Sequence, residues 1–237
     1  MKTILSIILL IGVVGVSIIV YSSQDSSTAE VSVLHDITDT LLSQPIAGEI
    51  TPLFGLGSQK WNGAAFRYAT ISDVSFTPAQ EARIGPANQW LSNEYDRTKE
   101  VNRFYSVITE LITNSQKESI GKSHSSVYMT IAAELNRLSK SKSTKRILLV
   151  YSDLMENDLN FSFYDVKTFN LLSSHPDTIR KRLEMMLPIT TLSGIEIHLL
   201  YQPPNPQSDI QFKVVSGYYK QLLESKGAIV YISANLQ

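Results

Sequence analysis

Two periodicities divide this chain. Residues 30–37 (EVSVLHDI), 145–152 (KRILLVYS), 194–202 (GIEIHLLYQ) and 228–234 (AIVYISA) are short apolar or alternating runs rich in β-branched and aliphatic side chains, as strands are. Residues 61–72 (WNGAAFRYATIS) and 79–85 (AQEARIG) add a pair joined by the turn region DVSFTP, which reads as a hairpin. Elsewhere the apolar spacing is helical. Val101, Phe104, Val107, Ile108, Leu111 and Ile112 fall on one stripe, and residues 126–139, 175–187 and 212–225 repeat the pattern. Pro176 and Asp177 open the third of these helices, Gly227 closes the last, and PPNPQSD (203–209) forms a stiff connector between strand and helix.

Strands alternating with helices predict an α/β fold. The expected form is a doubly wound, mostly parallel, Rossmann-like sheet with helices on both faces and one antiparallel edge strand supplied by the hairpin. Ligands of such sheets sit beyond the carboxyl ends of the strands, so chemistry is expected just after Ile37, Tyr151 and Tyr201.

The N-terminus departs from this pattern. After Lys2, residues 4–21 (ILSIILLIGVVGVSIIVY) carry no charge, and at about 1.5 Å of rise per residue they reach the lower limit for crossing a bilayer. Lys2 before the run and only acidic charge in SSQDSSTAE after it favour the remainder lying outside the cytoplasm. A cleaved signal peptide is the competing reading, with Val20 and Ser22 as the small residues of the cleavage site, but the run is long for one. Residues 1–22 are therefore expected to be an anchor or signal segment, 23–30 a flexible Ser-rich tether, and 31–237 one domain.

Composition narrows the chemistry. Lys plus Arg is 21 against 22 for Asp plus Glu, so no basic excess exists to hold nucleic acid. The absence of cysteine excludes disulfides, thiolate metal sites and a cysteine nucleophile. What gathers at the strand ends is oxygen. Asp36, Thr38, Asp39 and Thr40 follow the first strand, Ser152 and Asp153 follow the central one, and Ser123, Ser125 and Ser126 lie in KSHSSVY at a helix start. Hydroxyls with carboxylates suit a hard divalent cation, Mg²⁺, Mn²⁺ or Ca²⁺.

At this point the chain resembles von Willebrand factor A-like (vWA) domains that carry a metal-ion-dependent adhesion site. DITDT (36–40) fits their Asp-x-Ser/Thr-x-Ser/Thr signature, KSHSSVY fits the second loop, and RILLVYSDLMEND (146–158) fits the third. The resemblance implies an ion, Mg²⁺ first, held by Asp36, Thr38, Thr40, Ser125 and Asp153, with Ser126 and Ser123 as alternatives to Ser125. It further implies that an Asp or Glu of a protein partner completes the shell. Three departures stand out. Both signature hydroxyls are Thr where the first is commonly Ser. The second loop offers Ser for Thr. Leu154 stands where Gly is common, so a different bend is expected in the third loop.

Each fragment alone has a plainer reading. DITDT and Ser125 serve equally as helix N-caps, and SD after a strand is a common turn. SIGKS (119–123) is no phosphate loop, because Gln116 stands where its first Gly belongs. A haloacid-dehalogenase-like phosphatase would need a second Asp where Thr38 stands. No G-x-S-x-G elbow is present, and His35 and His124 are better read as core or packing residues than as ligands. The expected function is a membrane-tethered, extracytoplasmic, metal-dependent protein-binding domain that is not an enzyme. A metal-independent scaffold in an envelope complex, or a metal-dependent phosphohydrolase, are the alternatives.

Overall fold

The computed structural model describes residues 28–38, 41–72, 79–115, 124–158 and 161–236. The expected anchor, most of the tether, Asp39, Thr40 and Ser123 lie outside the described residues. Among the described residues no helix is long and apolar enough to cross a membrane.

Six strands form the main sheet: β1 (Thr28–Asp36), β2 (Gly63–Ile71), β3 (Gln80–Ile84), β4 (Lys145–Tyr151), β7 (Ile195–Leu200) and β8 (Ile229–Ser233). A two-stranded ribbon, β5 (Asn157–Asp158) and β6 (Phe161–Ser162), follows β4. The order across the main sheet is β3-β2-β1-β4-β7-β8, with every neighbouring pair parallel except the β2–β3 hairpin. The sheet is thus doubly wound and mostly parallel with one antiparallel edge strand, as its sequence predicts. Since β1 begins at Thr28, residues 28–30 of the stretch read as tether belong to the sheet.

Alternation along β1 assigns the two faces. His35 lies on one face with Tyr68 and Tyr151, their rings meeting edge-on at 6.2 and 6.5 Å. That face also carries Phe66, which meets Phe54 of the 3-10 turn Thr51–Phe54 at 6.4 Å; Phe54 in turn meets Phe104 of α2 (Glu94–Ser115) at 5.1 Å. The short helix α1 (Ala47–Ile50) leads into that turn. On the opposite face Glu30 and Ser32 accept from Arg137 of α3 (Val127–Leu138). The helices α4 (Val166–Ser174) and α5 (Pro176–Met186) connect β4 to β7, and α6 (Pro206–Glu224) connects β7 to β8. The core centres on β1 and β4, where Val31, Ile147, Leu148, Leu149 and Val150 have no accessible surface. Strands buried on both sides need continuous apolar runs rather than alternation, which is why KRILLVYS is so uniformly aliphatic.

Candidate metal centre

Strand β1 ends by delivering Asp36 to the rim, 3% exposed, with a hydroxyl on each carboxylate oxygen. Oδ1 accepts from Thr38 Oγ1 at 2.6 Å and from the Thr38 N–H at 3.0 Å, while Oδ2 accepts from Ser152 Oγ at 2.8 Å. The parallel register sets His35 beside Tyr151, so the residues that follow each strand meet at one edge. Asp36 and Thr38, predicted from the first loop, are therefore in contact, and both are tied to the third loop through Ser152.

The third loop is folded by its own side chains. Ser152 Oγ accepts from the Leu154 N–H, and Asp153 Oδ1 from the Met155 N–H, both at 2.9 Å. Leu154 has φ 62, the left-handed conformation that favours glycine. The leucine at this position thus adopts a backbone conformation that glycine enters at no steric cost. What holds it is the Ser152 bond and a side chain with no accessible surface. Asp153 turns outward into a cleft of about 450 Å³ walled by Met155, Tyr164, Tyr201 and Phe212, where Tyr164 Oη reaches its Oδ2 at 3.5 Å.

The second loop joins the same edge through its backbone. The Ser126 N–H donates to Ser72 O, just past β2, at 3.1 Å, and Ser125 exchanges two 3.0 Å bonds with Asn157 of β5. Ser125 Oγ is buried and has no hydrogen-bond partner among the described residues. Its cap reading does not hold, for the N-cap of α3 is Ser126 and no cap side chain bonds there. The free N–H groups of that helix are met instead by Glu156, whose Oε2 accepts from the Tyr128 N–H at 2.7 Å.

Glu156 is the residue that sequence reasoning missed. It is fully buried, and its Oε1 has no hydrogen-bond partner among the described residues. Burial pushes its carboxyl up to about 8; the Asp158 and Asp36 carboxylates add to the rise, and the Tyr128 and Val127 N–H groups oppose it. An acidic residue three positions past a strand-end Asp was the available signal, but SDLMEND reads equally as a solvated turn.

His35 is no ligand candidate, since it faces away from Asp36 across the strand. Its Nδ1 pairs with Tyr68 Oη at 2.6 Å, and burial lowers it to about 4, partly opposed by the Gln44 side chain. Among the described residues no three His, Cys, Asp or Glu side chains group together to hold a metal. What does meet at the rim is one carboxylate with two hydroxyls, Asp36 with Thr38 and Ser152. The buried Asp36 carboxylate with its hydroxyl partners suits a hard cation, and so does the buried Ser125 hydroxyl of the second loop, which has no hydrogen-bond partner among the described residues where such a group normally finds one.

No family model matches the chain, and no curated protein matches it. Among solved structures it is similar to the D319A mutant of the PilB minor pilin from Streptococcus sanguinis, at 8% identity and TM-score 0.47, over 90% of this chain and 58% of that one. This chain thus spans little more than half of the pilin. It is also similar to the conserved hypothetical protein BatB from Bacteroides thetaiotaomicron (11% identity, TM-score 0.35, 87% of this chain and 91% of that one). A third likeness is to an aerotolerance-related membrane protein from Bacteroides fragilis NCTC 9343 (10% identity, TM-score 0.30, 86% and 92%). These are distant likenesses, and none assigns a function to this chain.

Proposed function

We propose that this chain is a membrane-tethered, extracytoplasmic vWA-like domain that binds a divalent cation, Mg²⁺ first, and through it an acidic group of a protein partner. The observation that carries the reading is the buried Asp36 carboxylate, held at the strand end by the Thr38 and Ser152 hydroxyls; the second loop adds a buried Ser125 hydroxyl that has no hydrogen-bond partner among the described residues. Asp36, Thr38, Thr40, Ser125 and Asp153 would hold the ion. The neutral hydroxyls among them leave it electrophilic, so a carboxylate from outside is the ligand it would attract. The cleft beside Asp153 offers room for that approach. Tethering is supported by the uncharged residues 4–21 that precede the domain.

The test is a calorimetric titration of Mg²⁺ and Mn²⁺ into the protein, with Asp36→Ala and Ser125→Ala alongside. Saturable binding that both substitutions remove, with the circular dichroism unchanged, is the expected result. Metal affinity that survives Asp36→Ala would sink the assignment. A second reading, the metal-independent scaffold, draws support from the internal hydrogen bonds that already satisfy both Asp36 oxygens. Partner binding that is indifferent to chelator would favour it.

A further inference from the structure

The far edge of the sheet carries a second recess, independent of the rim just described. Among the described residues strand β3 is the last strand on its side, so alternate N–H and C=O groups along Gln80–Ile84 face away from β2 with no described strand to pair with. Helix α2 runs alongside. Between the two lies a cleft of about 620 Å³ whose floor is apolar, formed by Ala82, Ile84, Phe104 and Val107. An open strand edge bordered by a helix, with an apolar trough between them, is the geometry in which an extended peptide adds as a further strand and drops alternate side chains into pockets.

The charges on this cleft are unequal. Arg97 is 3% exposed and fully committed, donating to Lys60 O and Asn62 O at 2.6 Å each and to Glu100 at 3.0 Å. Arg83 is matched by Glu81 at 3.1 Å. Arg103, exposed on α2 and lining the same cleft, makes no ion pair among the described residues. The surplus charge is positive. A few residues past Ala87, which lines the cleft, the chain leaves large apolar groups exposed as it enters α2: Trp90 is 77%, Leu91 87% and Tyr95 67% exposed, and Lys99 Nζ sits 4.2 Å from the Tyr95 ring centre. Large apolar groups left in water beside an open edge mark an interaction surface.

We propose that the groove between the open edge of β3 and helix α2 binds an extended acidic peptide segment by strand addition, with Arg103 selecting its charge and Trp90 and Leu91 holding its apolar side chains. Glu81 and Arg83 on the edge guard against unselective pairing with any neutral strand. The inference stands whether or not the rim binds metal.

The probe is a fluorescein-labelled hexapeptide of alternating Glu and Val, titrated with the full chain in chelator and followed by fluorescence anisotropy. Saturable binding is expected. Arg103→Glu should weaken it at least about tenfold and Arg103→Lys should largely preserve it. Trp90→Ala should weaken it as well, and a Lys–Val hexapeptide should not compete. A Glu–Val peptide methylated on alternate backbone nitrogens should fail to bind, since it cannot complete the ladder. Three results overturn the proposal: no saturation, indifference to Arg103→Glu, or equal binding of the methylated peptide, which would reduce the surface to an ionic patch. Self-association of the chain that the hexapeptide cannot displace would give the edge to a second copy instead, and would overturn it too.

Discussion

The buried Glu156 makes a quantitative demand on how stability varies with pH. In the folded chain its carboxyl holds its proton to about pH 8, while unfolded it ionises near 4.5. Between those values the folded state carries one proton more than the unfolded, so stability falls as pH rises, by about 1.4 kcal/mol per unit. His35 acts in the opposite sense. Burial lowers it from 6.5 to about 4, so between those values the unfolded state carries the extra proton and stability rises with pH at the same slope. The two contributions cancel from 4.5 to 6.5, and above 6.5 Glu156 alone remains. Glu156→Gln keeps an acceptor for the Tyr128 N–H and abolishes the titration. The native protein should therefore be level from pH 4.5 to 6.5 and then decline toward pH 8, whereas the Gln variant should climb to 6.5 and stay level beyond it. Between 6.5 and 8 the two curves should diverge by on the order of 2 kcal/mol. Urea unfolding followed by tryptophan fluorescence at successive pH values, in chelator, measures both curves. If the native protein is level or rising above pH 6.5, or the Gln variant declines in parallel with it, Glu156 is not a buried neutral acid, and the carboxyl caps α3 in its ionised form instead.

Three further outcomes are expected. Leu154→Gly relieves the left-handed backbone of about 1–2 kcal/mol while losing the buried side chain, whereas Leu154→Ala loses the side chain and keeps the strain. The alanine variant should thus be the less stable of the two by chemical denaturation, the reverse of the order inside a helix, and a more stable alanine variant would contradict the assigned backbone. Arg137 donates to Glu30 at 2.6 Å and to Glu134 at 2.7 Å, and both carboxylates are buried. Arg137→Met should cost about 3 kcal/mol by leaving buried Glu30 with only the Ser141 and Ser143 hydroxyls, while Glu134 keeps Arg67, read as a fall in Tm that a Glu30→Gln background largely removes. Finally, Ser125→Ala should not destabilise the metal-free protein, because its hydroxyl makes no bond there. A loss above about 1 kcal/mol in chelator would mean that the hydroxyl has a structural partner after all.

Much of the fold was legible because parallel strands buried on both faces leave no choice of residue. KRILLVYS is a central strand in any reading, and its alternation with amphipathic stretches fixes the class. The carboxylate at the end of β1 was legible for a related reason, since an Asp that closes an apolar run must be satisfied by something beyond it. Helix α4 has no counterpart among the helices expected from the sequence, although Asp165, which accepts from the Thr168 N–H at 2.8 Å, followed by Val166, Phe169 and Leu172 at helical spacing, was a usable signal. The segment 46–54 was missed because Gly48 and Pro52 break its pattern, and its role comes from Phe54 packing on the sheet. Glu156 could not be read at all. Its chemistry depends on which helix start lies 28 residues back along the chain and against it in space, and spacing along a sequence does not carry that information.

The position of β1 also governs the order in which the sheet can assemble. The first strand made is a central one, and Ala29 must wait for Lys145 before its second edge is covered. Until then a nascent chain can build only the β1–β2–β3 half, with the apolar Val31–Leu34 edge open on the growing side. Closing so long a loop is slow, and an uncovered apolar edge invites pairing with other chains. Release of the chain before Tyr151 should therefore yield an insoluble half-sheet, and chains that reach Tyr151 should stay soluble.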